Sequence, residues 1–259
     1  MLERLRAEGF DVLTRNHADA ILAHDFKDDL AVLVDALAGF RIGLAELIGG
    51  GGGESGQTQR LRHVLNDAGW QKHKFAVQTI VDGIPREGIS HEVDHVRFGA
   101  RGALALEIEW NNKDPFFDRD LENFQRLHAL SAISLGVIVT RGRSMQDRFL
   151  ERIRGWMMAQ GLTSEADLDR LDIAARTPAQ QKSVAIQVAR GVPFAEAFAK
   201  TFVTSKFGLA STHWAKLEDR VARGVGNPCP LLLIGLPDRI LTDTAPETAP
   251  TSDLFGGDA

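Results

Sequence analysis

The segment Leu104-Ala-Leu-Glu-Ile-Glu-Trp does most to narrow the folds open to this 259-residue chain. Residues two apart on a strand share a face, so Leu106 and Ile108 turn one way while Glu107 and Glu109 turn the other. Just upstream, His91-Glu-Val-Asp-His reads as the start of another strand, His91 to Phe98, joined to this one by a hairpin at Gly99 to Gly102. Asp94 on that neighbour stands beside the Glu-x-Glu pair, with Glu92 on the same face. His91 and His95, four apart, are expected to share a face and to be structural.

Three carboxylates on one sheet face repel one another unless a cation sits among them. Mg²⁺ takes oxygen ligands, often one or two carboxylates completed by phosphate and water, and it lowers the pKa of an attacking water. The arrangement therefore suits a metal-dependent phosphodiester site. A strand with one solvated polar face, Glu107 and Glu109, and one buried face produces the same pattern, and spacing leaves both readings open.

The flanking sequence gives an order of elements. Apolar residues recur at helical spacing from Asn16 to Ile48, which predicts two or three helices. Five glycines, Gly49 to Gly53, interrupt them, and Ser55 to Ala68 is helical again, with Gly69 where a C-terminal cap belongs. A strand is expected from Phe75 to Val81, a turn at Asp82–Gly83, and a loop from Pro85 to Ser90. Beyond a strand from Ala103 to Trp110, the chain alternates. Helices are expected at Asp118 to Ala132, Ser144 to Met158, Pro178 to Ala189 and Thr212 to Val221, and strands at Gly136 to Thr140 and Pro230 to Ile234. This order argues for an α/β fold, a mixed β-sheet core flanked by helices, with N-terminal helices and a C-terminal extension. A single domain is expected over residues 1–240, its core at about 50–160 and a C-terminal subregion at about 161–240, followed by a disordered tail at 241–259 rich in Thr, Pro, Asp and Gly.

Composition removes several function classes. The single cysteine, Cys229, excludes an internal disulfide framework and a cysteine-rich zinc site, and points to a reducing, cytoplasmic setting. No apolar run is long enough for a membrane span. The glycine run lacks the Gly-Lys-Ser/Thr of a nucleotide-cradling loop, and neither a Gly-x-Ser-x-Gly elbow nor a His-Glu-x-x-His pair is present. A net charge of −5 excludes nucleic-acid binding by bulk positive charge, but not a DNA enzyme that combines an acidic metal site with a locally basic face.

An acid, a hairpin and Glu-x-Glu at a strand end resemble the PD-(D/E)xK nuclease superfamily, and within it the BglII-like type II restriction endonucleases, near the BamHI type. Asn16-His-Ala-Asp-Ala-Ile-Leu resembles the family's N-terminal helix, and Gly56-Gln-Thr-Gln with the helix to Trp70 resembles its pre-sheet helix. Val137-Ile-Val-Thr-Arg-Gly is similar to the next core strand and its exit loop. The resemblance covers roughly residues 16–160. Most of the superfamily has lysine where this chain has Glu109, but the BamHI type has glutamate there and BglII glutamine. The hairpin after Asp94 is longer than in BglII.

The resemblance implies a restriction-endonuclease-like fold and a Mg²⁺-dependent, sequence-specific double-stranded DNA endonuclease acting as a homodimer with a cognate DNA methyltransferase, at a palindrome with central GATC. Asp94 and Glu107 would ligate Mg²⁺, and Glu109 would position or deprotonate the attacking water. A fourth group would come from the pre-sheet helix: Glu54 has the better chemistry, Gln57 or Thr58 the better register, and helix capping explains all three equally well. The dimer surface would use the helix from Asp118. Loops after the two catalytic-side strands make Asn111, Asn112, Lys113, Arg141, Arg143 and Ser144 candidates for base or phosphate contact, since Asn can pair with adenine and Arg with guanine. His213 and Lys216 are further candidates, with Trp214 packed beneath them. Two rival readings stand: a repair or recombination nuclease of the same superfamily, and a DNA-binding protein whose carboxylates no longer catalyse.

Overall fold

In a computed structural model, the described residues are 1–49, 56–86, 88, 90–113, 115–171, 173 and 176–244. From the N-terminus run α1 (Leu2–Ala7), β1 (Asp11–Arg15), α2 (Ala18–His24), α3 (Lys27–Gly39), β2 (Ile42–Gly43), α4 (Leu44–Gly49) and α5 (Gly56–Asp67). A strand-rich stretch follows: β3 (Gln71–Phe75), β4 (Thr79–Val81), β5 (Ile84–Arg86), β6 (His91–Gly99) and β7 (Gly102–Ile108). The chain then alternates through α6 (Phe116–Ala129), β8 (Leu135–Arg141), α7 (Arg143–Ala159), α8 (Glu165–Arg170), α9 (Pro178–Ala189), α10 (Phe194–Phe207), α11 (Trp214–Ala222), β9 (Leu231–Leu236) and β10 (Leu241–Thr242).

Six strands form one mixed sheet in the order β1-β9-β8-β7-β6-β3. β7, β8 and β9 run parallel, and β6, β3 and β1 pair antiparallel. Alternation along the central strands builds a core on each face. Leu104, Leu106, Val137, Val139, Leu232 and Ile234 pack with the N-terminal helices, α7 and α10. Ala103, Ala105, Ile138, Leu231 and Leu233 pack against α6 and α11, through Phe117, Leu121, Phe124, Trp214 and Leu217. Burial on both faces explains the continuous apolar runs of β8 and β9.

The meander differs from the sequence expectation in two places. The strand expected at Phe75 to Val81 is two: β3 ends at Phe75, opposite the first residue of β6, and the chain leaves the sheet because its partner begins there. Pro85, expected in a loop, lies in β5, which pairs with β4 across Asp82–Gly83; both turn residues have positive φ, 50° and 78°, as a tight hairpin requires. Reading by period also passes over α1, β1, α8 and α10. At the other end the chain is still packed at residues expected in the tail. β10 pairs with β2, and Trp156 Nε1 donates to the Asp243 carbonyl at 3.0 Å. The rest of the expected tail, from residue 245, lies outside the described residues, as do Gly50 to Gly53.

α6 sits close to the sheet because Gly136 of β8 presents no side chain. A β-carbon there would fall inside the van der Waals envelope of the Phe124 ring. Gly136→Ala is therefore expected to lower stability by about 1–3 kcal/mol, the usual cost of overpacking. Urea unfolding of Gly136→Ala, alone and with Phe124→Leu, checks this: the smaller side chain should restore part of the loss.

Candidate active site

Glu107 and Glu109 continue the β7 row that begins with Ala103 and Ala105, so they face α6 rather than solvent. They are 3 % and 4 % exposed, which removes the solvated-face reading of this strand. The β6–β7 ladder ends at His95 opposite Leu106, one residue short of Asp94 and Glu107. Asp94 is exposed at the rim, and its charge contributes to the rise in the Glu107 pKa. Glu107 and Glu109 are thus together inside, while Asp94 is exposed and acts on Glu107 through its charge. Glu92 points to solvent and pairs with Lys72 at 2.6 Å.

Two side chains that the sequence reading did not place here complete the cluster. The first is Asp120, which has no exposed surface. It lies on the apolar stripe of α6 between Phe117 and Phe124, where a helix facing a core ordinarily carries a hydrophobe. That misplaced carboxylate was the available signal.

The second is His91. Between β3 and β6 the register slips: Gln71 pairs with Val96 but His73 with Val93, so β6 bulges by one residue near Asp94. The bulge puts Val93 and Val96 into the same core and swings His91 towards α6. There the Asn123 amide nitrogen lies 2.8 Å from His91 Nδ1, and Glu107 Oε1 lies 3.8 Å from Nε2. His95 goes the other way. It is buried, and its pKa is pushed down to about 4, chiefly by desolvation with a smaller effect from the charge of Arg62 of α5. The two histidines therefore do not share a face as expected.

A nitrogen of His91 and carboxylate oxygens of Glu107 and Asp120 all lie within 4.8 Å of one another. Arg119 is the nearby cation: its Nε donates to Asp120 Oδ1 at 2.8 Å and it reaches Glu109 Oε1 at 3.4 Å. Asn112 donates to Glu109 Oε2. Asp120 Oδ2 meets no donor unless Glu109 is protonated, in which case the two carboxyls share a hydrogen bond. Burial, reinforced by the charges of Asp120, Asp94 and Glu109, holds the Glu107 carboxyl well above the usual range. Burial and the Asp120 charge push Glu109 up to about 8. Without a cation this cluster keeps protons that the unfolded chain would release.

The other expected contacts divide. Gln57 is buried on α5 with Oε1 unpartnered, and the adjacent Thr58 accepts from Trp110 Nε1 at 3.1 Å, so the first turn of α5 abuts the end of the Glu-x-Glu segment. Glu54 lies outside the described residues. Arg141 cannot serve as a DNA contact. It is fully buried, donating to the Thr212 and Phe207 carbonyls and to Ser211 Oγ, and desolvation pushes its pKa down to about 9. Arg143 is exposed but held between Asp11 and Glu218 at 2.8 and 2.5 Å. Ser144 Oγ accepts from the Asp238 amide. His213 is buried at the start of α11 and Lys216 is half-buried. Asn111 and Asn112 are half-buried, and Lys113 is exposed and bridges to Ser211.

A mixed sheet with helices on both faces, two buried acids at the end of its central strand β7, a third on α6 and an exposed one on β6, is an arrangement suited to a nuclease. The family model of restriction endonuclease BglII/BglIII matches residues 10–236. The chain belongs to that family, and is therefore a type II site-specific deoxyribonuclease that binds double-stranded DNA. The match also extends the resemblance, first seen over residues 16–160, through α11 and β9. No curated protein matches the chain by sequence. Among the described residues, no helix is long and apolar enough to cross a membrane.

The raised carboxylates fix the sign of a pH effect. A folded state that binds more protons than the unfolded one loses stability as pH rises. His95 opposes this below its ordinary pKa of 6.5, so the carboxylates act alone above it. Between pH 6.5 and 8, metal-free protein is expected to lose up to about 2 kcal/mol for each such proton. Thermal denaturation across that range should show the fall, and Glu109→Gln should flatten it.

Proposed function

We propose that the chain hydrolyses both strands of DNA at a palindromic site as a Mg²⁺-dependent homodimer. Asp94 and Glu107 hold the cation, and Glu109 orients and deprotonates the attacking water. The observation that carries this reading is the burial of Glu107 and Glu109 on one face, beside Asp120, with their pKa values raised. Acids crowded in this way fit a divalent ion, and an Asp120 oxygen served only by a protonated Glu109 leaves donor capacity to spare. When bound, the ion polarises the phosphate and lowers the pKa of the water. Asn112 fixes one Glu109 oxygen and Arg119 the other, so the carboxylate is held at a set angle to accept that proton. Gln57, at the first turn of α5, is the pre-sheet residue favoured for completing the site. Two copies related by a two-fold axis cut one strand each, with α6 carrying the dimer surface. The recognition sequence is expected to contain a central GATC, and the companion activity is a methyltransferase in the same cytoplasm.

For DNA contact, Asn111 and Lys113 beside the site are joined by a surface that composition disguises. Residues 177–216 hold Lys182, Arg190, Lys200, Lys206 and Lys216 against a single acid, Glu196, within a chain of net charge −5. α9 and α10 line a groove of about 1010 Å³ with Lys182, Arg190 and Lys200, and Ser205 continues it to a smaller cleft of about 190 Å³ at Lys113. A phosphate backbone following this lane ends beside Glu109.

Digestion of a defined plasmid with Mg²⁺ or with chelator, followed by sequencing of the ends, should give discrete fragments only with Mg²⁺. Glu107→Gln should slow cutting by roughly 100-fold or more while its thermal midpoint shows an intact fold. A normal cutting rate in that variant removes Glu107 from the chemistry. Reversing Lys182 and Lys200 to Glu should weaken binding to all sequences alike and make the dependence of affinity on salt less steep, measured by fluorescence anisotropy.

A further inference from the structure

The Glu107 carboxylate has two sides. The exposed Asp94 acts on it through its charge, and His91 and Asp120 stand against it on the inner side. We propose that this inner side is a cation site in its own right, with His91, Glu107 and Asp120 as ligands, and that it selects a divalent transition ion such as Mn²⁺ over Mg²⁺. It shares Glu107 with the catalytic reading above but does not require that reading.

The three ligands come from β6, β7 and α6, and their donor atoms lie within 4.8 Å of one another. Donors on opposite sides of an ion with bonds of about 2.1 Å are about 4.2 Å apart, so only a small contraction is needed. Crowding of acids alone would not make a site. The further observation is Asp120: fully buried, bonded to Arg119 through Oδ1, with an Oδ2 that only a protonated Glu109 serves in the metal-free protein. Such an oxygen in a dry core is costly unless something cationic or protic visits it. Imidazole favours the borderline transition ions, whereas Mg²⁺ prefers oxygen throughout, which sets the expected selectivity.

The surroundings supply a second shell and an approach. Asn123 lies against the His91 ring and is itself held by Arg126. His91 and Asn123 also line a cavity of about 460 Å³ that runs between α6 and Thr79 of the β4–β5 hairpin. The cavity opens onto His91, the outermost of the three ligands; Glu107 and Asp120 lie buried beyond its walls.

The test uses the full chain, metal-free and without DNA. Calorimetric titration with Mn²⁺ should show binding that His91→Gln and Asp120→Asn each weaken by at least about tenfold. His91→Gln should change Mg²⁺ affinity much less, and Asp94→Asn should affect Mn²⁺ less than either inner variant. Electron paramagnetic resonance of Mn²⁺ on the unsubstituted protein should show coupling to a ring nitrogen, a readout independent of any variant's folding. Absence of that coupling overturns the proposal. So does Mn²⁺ binding lost in Asp94→Asn but kept in both inner variants, which would leave the outer pair as the sole site. Cleavage of plasmid with Mg²⁺ is scored separately, so the catalytic reading stands or falls on its own result.

Discussion

Three carboxylates out of water with one guanidinium among them is the constraint around which this molecule is arranged. Arg119 neutralises one charge and touches two of the acids, Asp120 and Glu109, leaving Glu107 to burial and to its like-charged neighbours. Such a cluster is unfavourable in an empty protein, since taking an ionised carboxylate into a low dielectric costs several kcal/mol even after relaxation. It persists because the scaffold over-determines it. β7 sets Glu107 and Glu109 by strand alternation, Gly136 lets α6 press Asp120 down onto them, and the β6 bulge turns His91 inward. Strain of this kind at one place in a stable fold is the usual mark of a site that binds something.

The parts legible in the sequence are those governed by local periodicity. Glu107 and Glu109 were readable because a strand's two-residue repeat is set by its own backbone, and α9 because Thr177-Pro178 and Gln180 form a capping box at its start. Asp94 on the adjoining strand followed from one hairpin. Asp120 and His91 were not readable in this way. Asp120 interrupts an apolar stripe, so a pattern search treats it as noise. His91 faces inward only because β3 and β6 differ by one residue in register, and no residue of β6 alone announces a bulge. The same limit applies to the burial of Glu107: a Glu-x-Glu strand looks alike whether water or a helix covers it.

Arg141 illustrates the opposite error. Arginine in a loop after a core strand suggests recognition of guanine, yet here the chain wraps around it. The Phe207 carbonyl that ends α10 and the Thr212 carbonyl before α11 both accept from its guanidinium, and the Phe207 ring lies 5.0 Å beneath. A cation at the carbonyl end of a helix is favoured by the helix dipole, and desolvation is tolerated because each of its three nitrogens has an acceptor. Arg141 therefore anchors α10 and α11 to the end of β8, and its place in the sequence says nothing of that.

This anchoring has a consequence for how DNA and chemistry are joined. The segment that Arg141 holds, 207–212, pairs with the loop that leaves Glu109: the Thr212 amide donates to the Asn112 carbonyl at 2.8 Å, and Lys113 bridges Ser211. Asn112 in turn holds Glu109. A basic helical pair and an acidic pocket are thereby linked through two hydrogen-bonded strands of loop and one buried guanidinium. Displacement of the segment between α10 and α11 is therefore passed to the loop that sets the angle of Glu109, because the two are hydrogen-bonded.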